Sequence, residues 1–486
     1  MNPFPLMKRH TLIYIAVVSL LAIPMLYVLR SGATLPPPGG FPASVSIAAA
    51  GAPNDSAFTA FGSALAQNFT DPLSRLFLQL LLIISCTRAV GWLFTRAGQP
   101  AVVGEMAAGI LLGPSLFGLL APTAFGFVFA APSLAALKLL SQIGVCLFMF
   151  AVGMELNISQ VKERAQTAIV VSHASIIIPY FLGVLLAWRL YSGYAAVGAS
   201  FVGFALFLGI SMSITAFPVL ARILQERGLS RTALGSMALT CAAVDDVTAW
   251  TILAFVVAIV RASGVASSGL NLLLVLVFLA VMLRIIKPLL SRALRERAAD
   301  ESPSPTTLAI VVCTVMAAAL MTEVIGIHAL FGAFLAGAIM PETNGFRQKL
   351  GVRIENFSSV LLLPLFFAFT GLRTQIGLLN DAASWGVCLL IIAVATVGKL
   401  GGTAVVARCT GMNWSESLQL GALMNTRGLM ELIALNIGYD LGILSPRIFT
   451  MLVIMALCTT MLTGPLLALF QRREAVFDVL PGARLS

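Results

Sequence analysis

Apolar residues in this chain do not alternate with polar ones. They come in unbroken runs of about 18–25 residues, the length at which an α-helix crosses a bilayer. A membrane β-barrel would instead alternate apolar and polar residues in segments of about ten. The pattern therefore predicts an all-α membrane protein with about 14 transmembrane helices. The runs fall near 12–29, 73–95, 101–118, 134–153, 167–190, 197–224, 233–260, 268–289, 305–323, 326–340, 358–373, 383–407, 415–438 and 447–470. Charge orders them. With "MKRH" placed in the cytoplasm, each loop after an even-numbered run carries Lys or Arg. These are Arg96; Lys162 and Arg164; Arg227 and Arg231; the 292–297 cluster; Arg347 to Arg353; Arg408; and Arg472 with Arg473. The opposite loops are nearly free of both, as the positive-inside rule requires, so both termini are expected inside.

Composition agrees: 59% of residues are hydrophobic and 10% charged, against roughly half and a quarter in soluble domains. The net charge of +10 suggests nucleic acid at first sight. Its Lys and Arg sit in short loop clusters with no basic, aromatic-laced face, so no nucleic-acid partner is expected. Seven cysteines without a CxxC pair or His/Cys cluster point to neither a disulfide framework nor a zinc site. No nucleophile–base pair or phosphate loop suggests an enzyme, and no cofactor is implied.

Three regions are expected. Residues 1–72 form an extra N-terminal helix and an external linker, whose 31–70 segment is rich in Gly, Pro, Ala and Ser. The start also fits a signal peptide, but no clean A-x-A site follows, which favours an uncleaved helix. Residues 73–470 form the transmembrane domain. Residues 471–486 form a short cytoplasmic tail, with no nucleotide-binding domain in this chain.

The domain carries an internal repeat. "LFMFAVGMELN" (147–157) is similar to "LFFAFTGLRTQ" (365–375). Each follows a short Gly-rich run, "GILLGPSLFG" (109–118) or "GAFLAGAIMP" (332–341). The two units, about 101–260 and 326–470, have opposite predicted orientation, the inverted repeat of secondary transporters.

Irregular backbone is tolerated at membrane depth only beside a cavity or inside protein. Matching runs of the two units are interrupted. In the first, Ser211, Ser213 and Thr215 precede Pro218; in the second stand Asn425, Thr426, Arg427, Gly428 and Glu431. Both predict discontinuous helices, with Ser213, Thr215, Asn425 and Thr426 as candidates at their crossing. Arg427 and Glu431, at i,i+4, predict a structural ion pair. "CAAVDDVTAW" puts Asp245 and Asp246 inside one apolar run, and "ATVGKLGG" puts Lys399 inside another. Adjacent helical residues point about 100° apart, so the two carboxylates cannot share one environment. One is expected to pair with Lys399 and the other to face a hydrated cavity. Two close carboxylates repel, and one of them can hold a proton or a small hard cation through oxygen. Buried charges in membrane helices mark such sites. Glu323 and His328, at an external junction, suggest an exit funnel. Glu105 suggests a helix-start charge, and Glu155 a solvated loop charge.

Taken together, "GQPAVVGEMAAGILLGPSLFG", "LFMFAVGMELN", "SITAFPVLARIL", "AAVDDVTAW", "GAFLAGAIMPE", "LLPLFFAFTGLRT" and "NTRGLMEL" resemble the monovalent cation/proton antiporters over residues 73–470. The similarity is to the branch holding bacterial sodium/proton antiporters and the membrane parts of potassium efflux systems. It implies a homodimer in the bacterial inner membrane, each protomer with a dimerisation domain and a mobile core. It further implies two crossed broken helices and elevator-type alternating access. Asp246 matches the main cation- and proton-binding position, Asp245 the preceding aspartate, and Lys399 that aspartate's partner. Asp246 would thus ligate the transported metal cation. The Asp pair with Lys399 favours electrogenic exchange, while Na⁺ and K⁺ both stay open as the cation partner of H⁺. The alternatives are a cation channel of this fold, which would show no proton coupling, and a non-transporting sensor, which would bind without flux.

Overall fold

The computed structural model describes residues 68–69, 71–155, 165–229, 232–261, 265–295, 304–341 and 345–479. The first predicted run, the linker up to residue 67, and the Glu155 side chain lie outside the described residues. Among the described residues the regular secondary structure is helical, apart from one isolated bridge, Ala195 to Leu444. Among the described residues, 11 helical segments are long and apolar enough to cross a membrane, and Ala329–Ala338 is a shorter apolar helix.

In order, α1 is Pro72–Arg96, α2 Ala101–Leu112, α3 Ala131–Glu155 and α4 Ala165–Tyr194. A first broken run follows: α5, Phe201–Ser213, and α6, Phe217–Glu226. Next come α7, Ala233–Arg261, α8, Val265–Val281, α9, Lys287–Arg295, α10, Pro305–Ile325, and α11, Ala329–Ala338. Helices α12, Phe346–Phe357, and α13, Leu363–Arg373, are joined by a π-helical turn. So are α14, Ala382–Thr396, and α15, Gly402–Cys409. The run predicted at 415–438 is two helices, α16, Trp414–Met424, and α17, Leu429–Asp440. Helix α18, Pro446–Val479, closes the described chain.

Contacts sort the helices into two sets. In the first, α4 packs on α5, α7, α14 and α15; α6 on α7; α16 on α7, α15 and α18; and α17 on α5 and α18. In the second, α3 packs on α10, α11, α12 and α13, and α2 on α1 and α13. Helix α8 touches one member of each, α7 and α10. Outward faces stay apolar, as a lipid-facing surface should: Leu81, Phe181, Trp188, Leu320, Val324 and Leu389 are all exposed.

Helices buried in lipid gain nothing by hiding leucine from more leucine, so tight packing relies on small residues. The glycines of the repeated motifs supply it reciprocally. A Cβ on Gly371 of α13 would strike the carbonyl of Gly109 on α2. One on Gly153 of α3 would strike the carbonyl of Phe334 on α11, and one on Gly337 the carbonyl of Phe150. Each Gly-rich short helix thus lies against the "LF…G" helix of the other half.

Backbone offers no give at such a contact. Gly371→Val is expected to destabilise the protein by about 1–3 kcal/mol or more through overpacking. Thermal unfolding of the purified protein checks this; an unchanged midpoint would mean α2 and α13 are not in backbone contact.

Candidate functional site at the helix breaks

Helix α5 starts with a normal cap, the Ser200 hydroxyl accepting from Gly203 N at 3.0 Å. It ends at Ser213, and Ile214 to Ala216 run extended. Pro218 stands in the first turn of α6, where its missing N–H costs nothing. The second break runs from Asn425 to Gly428. The two breaks touch through backbone: Ala216 N donates to Thr426 O at 3.0 Å, and the Thr215 hydroxyl to Met424 O at 3.0 Å.

A helix ending here leaves its last carbonyls without intrahelical donors. Two cations answer them. Arg427 Nη1 donates to Ser211 O at 2.5 Å and Nη2 to Met212 O at 2.6 Å. Lys399 Nζ donates to Ser213 O. The partial negative charge at a helix C-terminus favours both. Each cation has a carboxylate: Arg427 Nη1 lies 2.7 Å from Glu431 Oε2, and Lys399 Nζ 2.9 Å from Asp245 Oδ2. All four side chains are 0% exposed, so these are full charges removed from solvent rather than surface pairs. Glu431 also sits in the first turn of α17, at the positive end of its dipole.

Local sequence explains how Lys399 gets there. It occupies the π-helical turn Val397–Gly401, a widening that re-aims side chains and recurs at functional sites. Gly398 lies against Pro179 and Leu182 of α4, and Gly421 of α16 lies against the Leu400 carbonyl. Larger residues would hold these helices apart.

The adjacent aspartates diverge. Asp245 takes Lys399 and, at 3.4 Å, the Ser175 hydroxyl of α4. Asp246 is 1% exposed and lines a small pocket with Ile214, Ala249, Trp250, Leu253 and Met430. Trp250 meets Phe331 of α11 edge-on, ring centroids 5.2 Å apart. The pocket at Asp246 thus reaches the seam between the two helix sets through Trp250, while Asp245 lies inside the first. Both polar atoms of the Asn425 side chain are buried without a hydrogen-bond partner among the described residues.

Residues 81–472 match the family described as "Sodium/hydrogen exchanger, transmembrane". The chain belongs to the monovalent cation/proton antiporter superfamily. It is 44% identical over 398 residues to the Na(+)/H(+) antiporter NhaS4 of Synechocystis sp., covering 82% of this chain and 97% of that one. It is 32% identical to the K(+)/H(+) antiporter 1 of Saccharomyces cerevisiae, over 82% of this chain and 46% of that longer protein. The fold is similar to the sodium proton antiporter MjNhaP1 from Methanocaldococcus jannaschii, with a TM-score of 0.57 at 14% identity, covering 82% and 97% of the two chains.

In this antiporter the structure brings most of the sequence-derived candidates together, with changes of detail. Ser213 meets Lys399 through its carbonyl; its hydroxyl donates to Gly209 O at 2.8 Å and Ile176 O at 3.1 Å. The Thr426 hydroxyl donates to Thr463 Oγ1 at 3.3 Å. Glu105 pairs with Arg88 at 3.2 Å, away from the breaks. Glu323 accepts from Ala329 N at 2.8 Å, holding His328 at a φ of 87°. Sequence reasoning passed over Ser175, Thr460 and Thr463. Thr460 accepts from Arg427 N at 3.0 Å and donates back to Arg427 O at 2.8 Å. Three threonines in "CTTMLT", on an otherwise apolar run, were the available signal.

Removing one partner of a buried pair leaves a charge without compensation, at about 3–5 kcal/mol. Arg427→Met is expected to lower thermal stability by that order, and Arg427→Met with Glu431→Leu to recover part of it. A single-variant loss below about 1 kcal/mol, the range of exposed pairs, would show the Arg427–Glu431 pair to be hydrated.

Proposed function

We propose that this antiporter exchanges Na⁺ or K⁺ for protons at the Asp245–Asp246 site. The observation that carries the proposal is the division of labour between neighbouring carboxylates. Asp245 is neutralised by Lys399 within one helix set, and Asp246 borders the seam with the other. Asp246 binds the cation through oxygen, and a proton competes for the same charge. The Thr215 and Asn425 side chains, at the touching breaks, extend the candidate ligand set. Lys399 holds Asp245 while the cation is absent.

Alternating access follows from the two sets. The first carries both breaks, the Arg427–Glu431 and Lys399–Asp245 pairs and Asp246, and moves as a core against the second. The order of elements supports an inverted repeat: α2, α3, α4, α5–α6 and α7 are followed by α11, α12–α13, α14–α15, α16–α17 and α18 in the same sequence. The reading also places the protein as a homodimer in a bacterial inner membrane, with both termini cytoplasmic. The names of two relatives support both cations, Na⁺ for NhaS4 and K⁺ for the yeast protein.

Proteoliposome exchange under Na⁺, K⁺ and Li⁺ gradients, with and without a potassium–valinomycin clamp, tests the proposal. Asp246→Asn is expected to abolish cation-driven proton movement while the protein still inserts and purifies. Normal exchange by that variant would sink the site assignment. Lys399→Gln is expected to keep exchange but alter its voltage dependence; an unaltered response would remove Lys399 from the charge balance of transport.

A further inference from the structure

Of the seven ion pairs described, five lie within one helix set. Both of the pairs that cross from one set to the other end on a single carboxylate, Asp440. Asp440 closes α17, in the first set. Its Oδ1 lies 2.6 Å from Arg373 Nη2 of α13, and its Oδ2 3.3 Å from Lys138 Nζ of α3, both in the second set. One turn back on α17, Asn436 Oδ1 accepts from Arg373 Nη1 at 2.8 Å, and Asn436 Nδ2 donates to the Thr370 hydroxyl at 2.8 Å. The Arg373 guanidinium stacks over Tyr439 of α17, 5.0 Å from the ring centroid. Beneath this cluster lies a cavity of about 30 Å³ bordered by Ser141, His328, Phe366, Ile433 and Asn436. Three more polar contacts cross at the same end: Gln375 N to the Thr450 hydroxyl at 3.1 Å, Arg447 Nε to Leu378 O at 3.2 Å, and Arg261 Nη1 to Gly326 O at 3.1 Å.

We propose that Asp440, clamped between Lys138 and Arg373, is an ionic latch that closes this end of the transport path and must open in each cycle. On the orientation proposed above this is the external end. Helix α17 starts directly after the Arg427 break and ends at the latch, so it is a rigid strut from the site to the closure. A shift of the first set that exposes Asp246 to this end parts Asp440 from both cations together. The chemistry suits repeated opening. The Lys138 and Asp440 side chains are 36% and 32% exposed, and partly solvated pairs are individually weak and salt-sensitive. A fully buried pair in that place would hold the protein shut.

The inference rests on the alternating movement proposed above, and two measurements separate them. The first needs no transport. In a background lacking the native cysteines, Ile433→Cys, on the cavity wall, is labelled with a membrane-impermeant maleimide in proteoliposomes. Adding Asp440→Asn is expected to speed labelling roughly three- to tenfold, the factor that goes with losing one or two weak pairs. Lys138→Gln with Arg373→Gln should do the same and covers the case in which Asp440→Asn fails to fold. An unchanged rate in a folded variant overturns the latch. The second measurement joins Lys138→Cys and Asp440→Cys with a reducible bifunctional thiol reagent. Exchange should stop on cross-linking and return on reduction; exchange that continues across the link also overturns the proposal. If the reduced protein moves no cations at all, the transport reading fails instead, while the labelling result still judges the latch.

Discussion

A helix that stops inside a bilayer leaves carbonyls that no water can reach, and the rest of this molecule follows from that constraint. Each unsatisfied group there costs several kcal/mol. Helix α5 stops at Ser213, and the carbonyls of Ser211, Met212 and Ser213 take Arg427 and Lys399 as their donors. Two buried cations then need two buried anions, which are Glu431 and Asp245. Four charges in an apolar core are thus one consequence of one broken helix. Such clusters are poor evidence of stability, because apolar substitutes often do as well. Here the cluster goes with the polarised break it holds open.

The constraint reaches into the packing. Lys399 enters at the break only because the π-helical turn around it rotates the side chain inward and because glycines admit its neighbours. Arg427 is held at both backbone ends by Thr460 of α18, so its position does not depend on its side chain alone. The threonine supplies the donor and acceptor that the unwound backbone lost. Small residues, a hydroxyl and a local widening together convert an unfavourable element into a stiff one.

Much of this was legible in the chain. Apolar runs and loop charge gave the helical membrane fold, and Pro218 and the "NTRG" stretch marked both breaks. Adjacent Asp245 and Asp246 could be assigned different surroundings from the 100° helical step alone. The Arg427–Glu431 pairing followed from its spacing. What could not be read were contacts set by depth and rotation rather than by neighbours in sequence. Ser175 reaches Asp245 across 70 residues, and Lys138 reaches Asp440 from a different helix set. The hydroxyl of Ser213 was a natural candidate, yet the backbone oxygen of the same residue makes the contact. Side-chain chemistry is visible in a sequence, whereas freed carbonyls become visible only when the break has a geometry.

The same geometry explains why two carboxylates stand side by side rather than one. Asp245 is part of the charge balance that keeps the break open, together with Lys399, Ser175 and the end of α5. A cation binding there would have to displace an ammonium and disturb the carbonyls it serves. Asp246, one residue on, lines a pocket with Ile214 of the extended stretch and Trp250, and Trp250 packs on the other helix set. In the proposed exchange, binding at Asp246 would change charge beside the seam without dismantling the scaffold. In the proposed exchange, the adjacency then acts electrically. A cation arriving at Asp246 adds positive charge beside Asp245 and Lys399 in a region of low dielectric, where such changes are felt strongly. One carboxylate can therefore stay fixed while the other cycles, and the helical backbone between them is the only link that coupling requires.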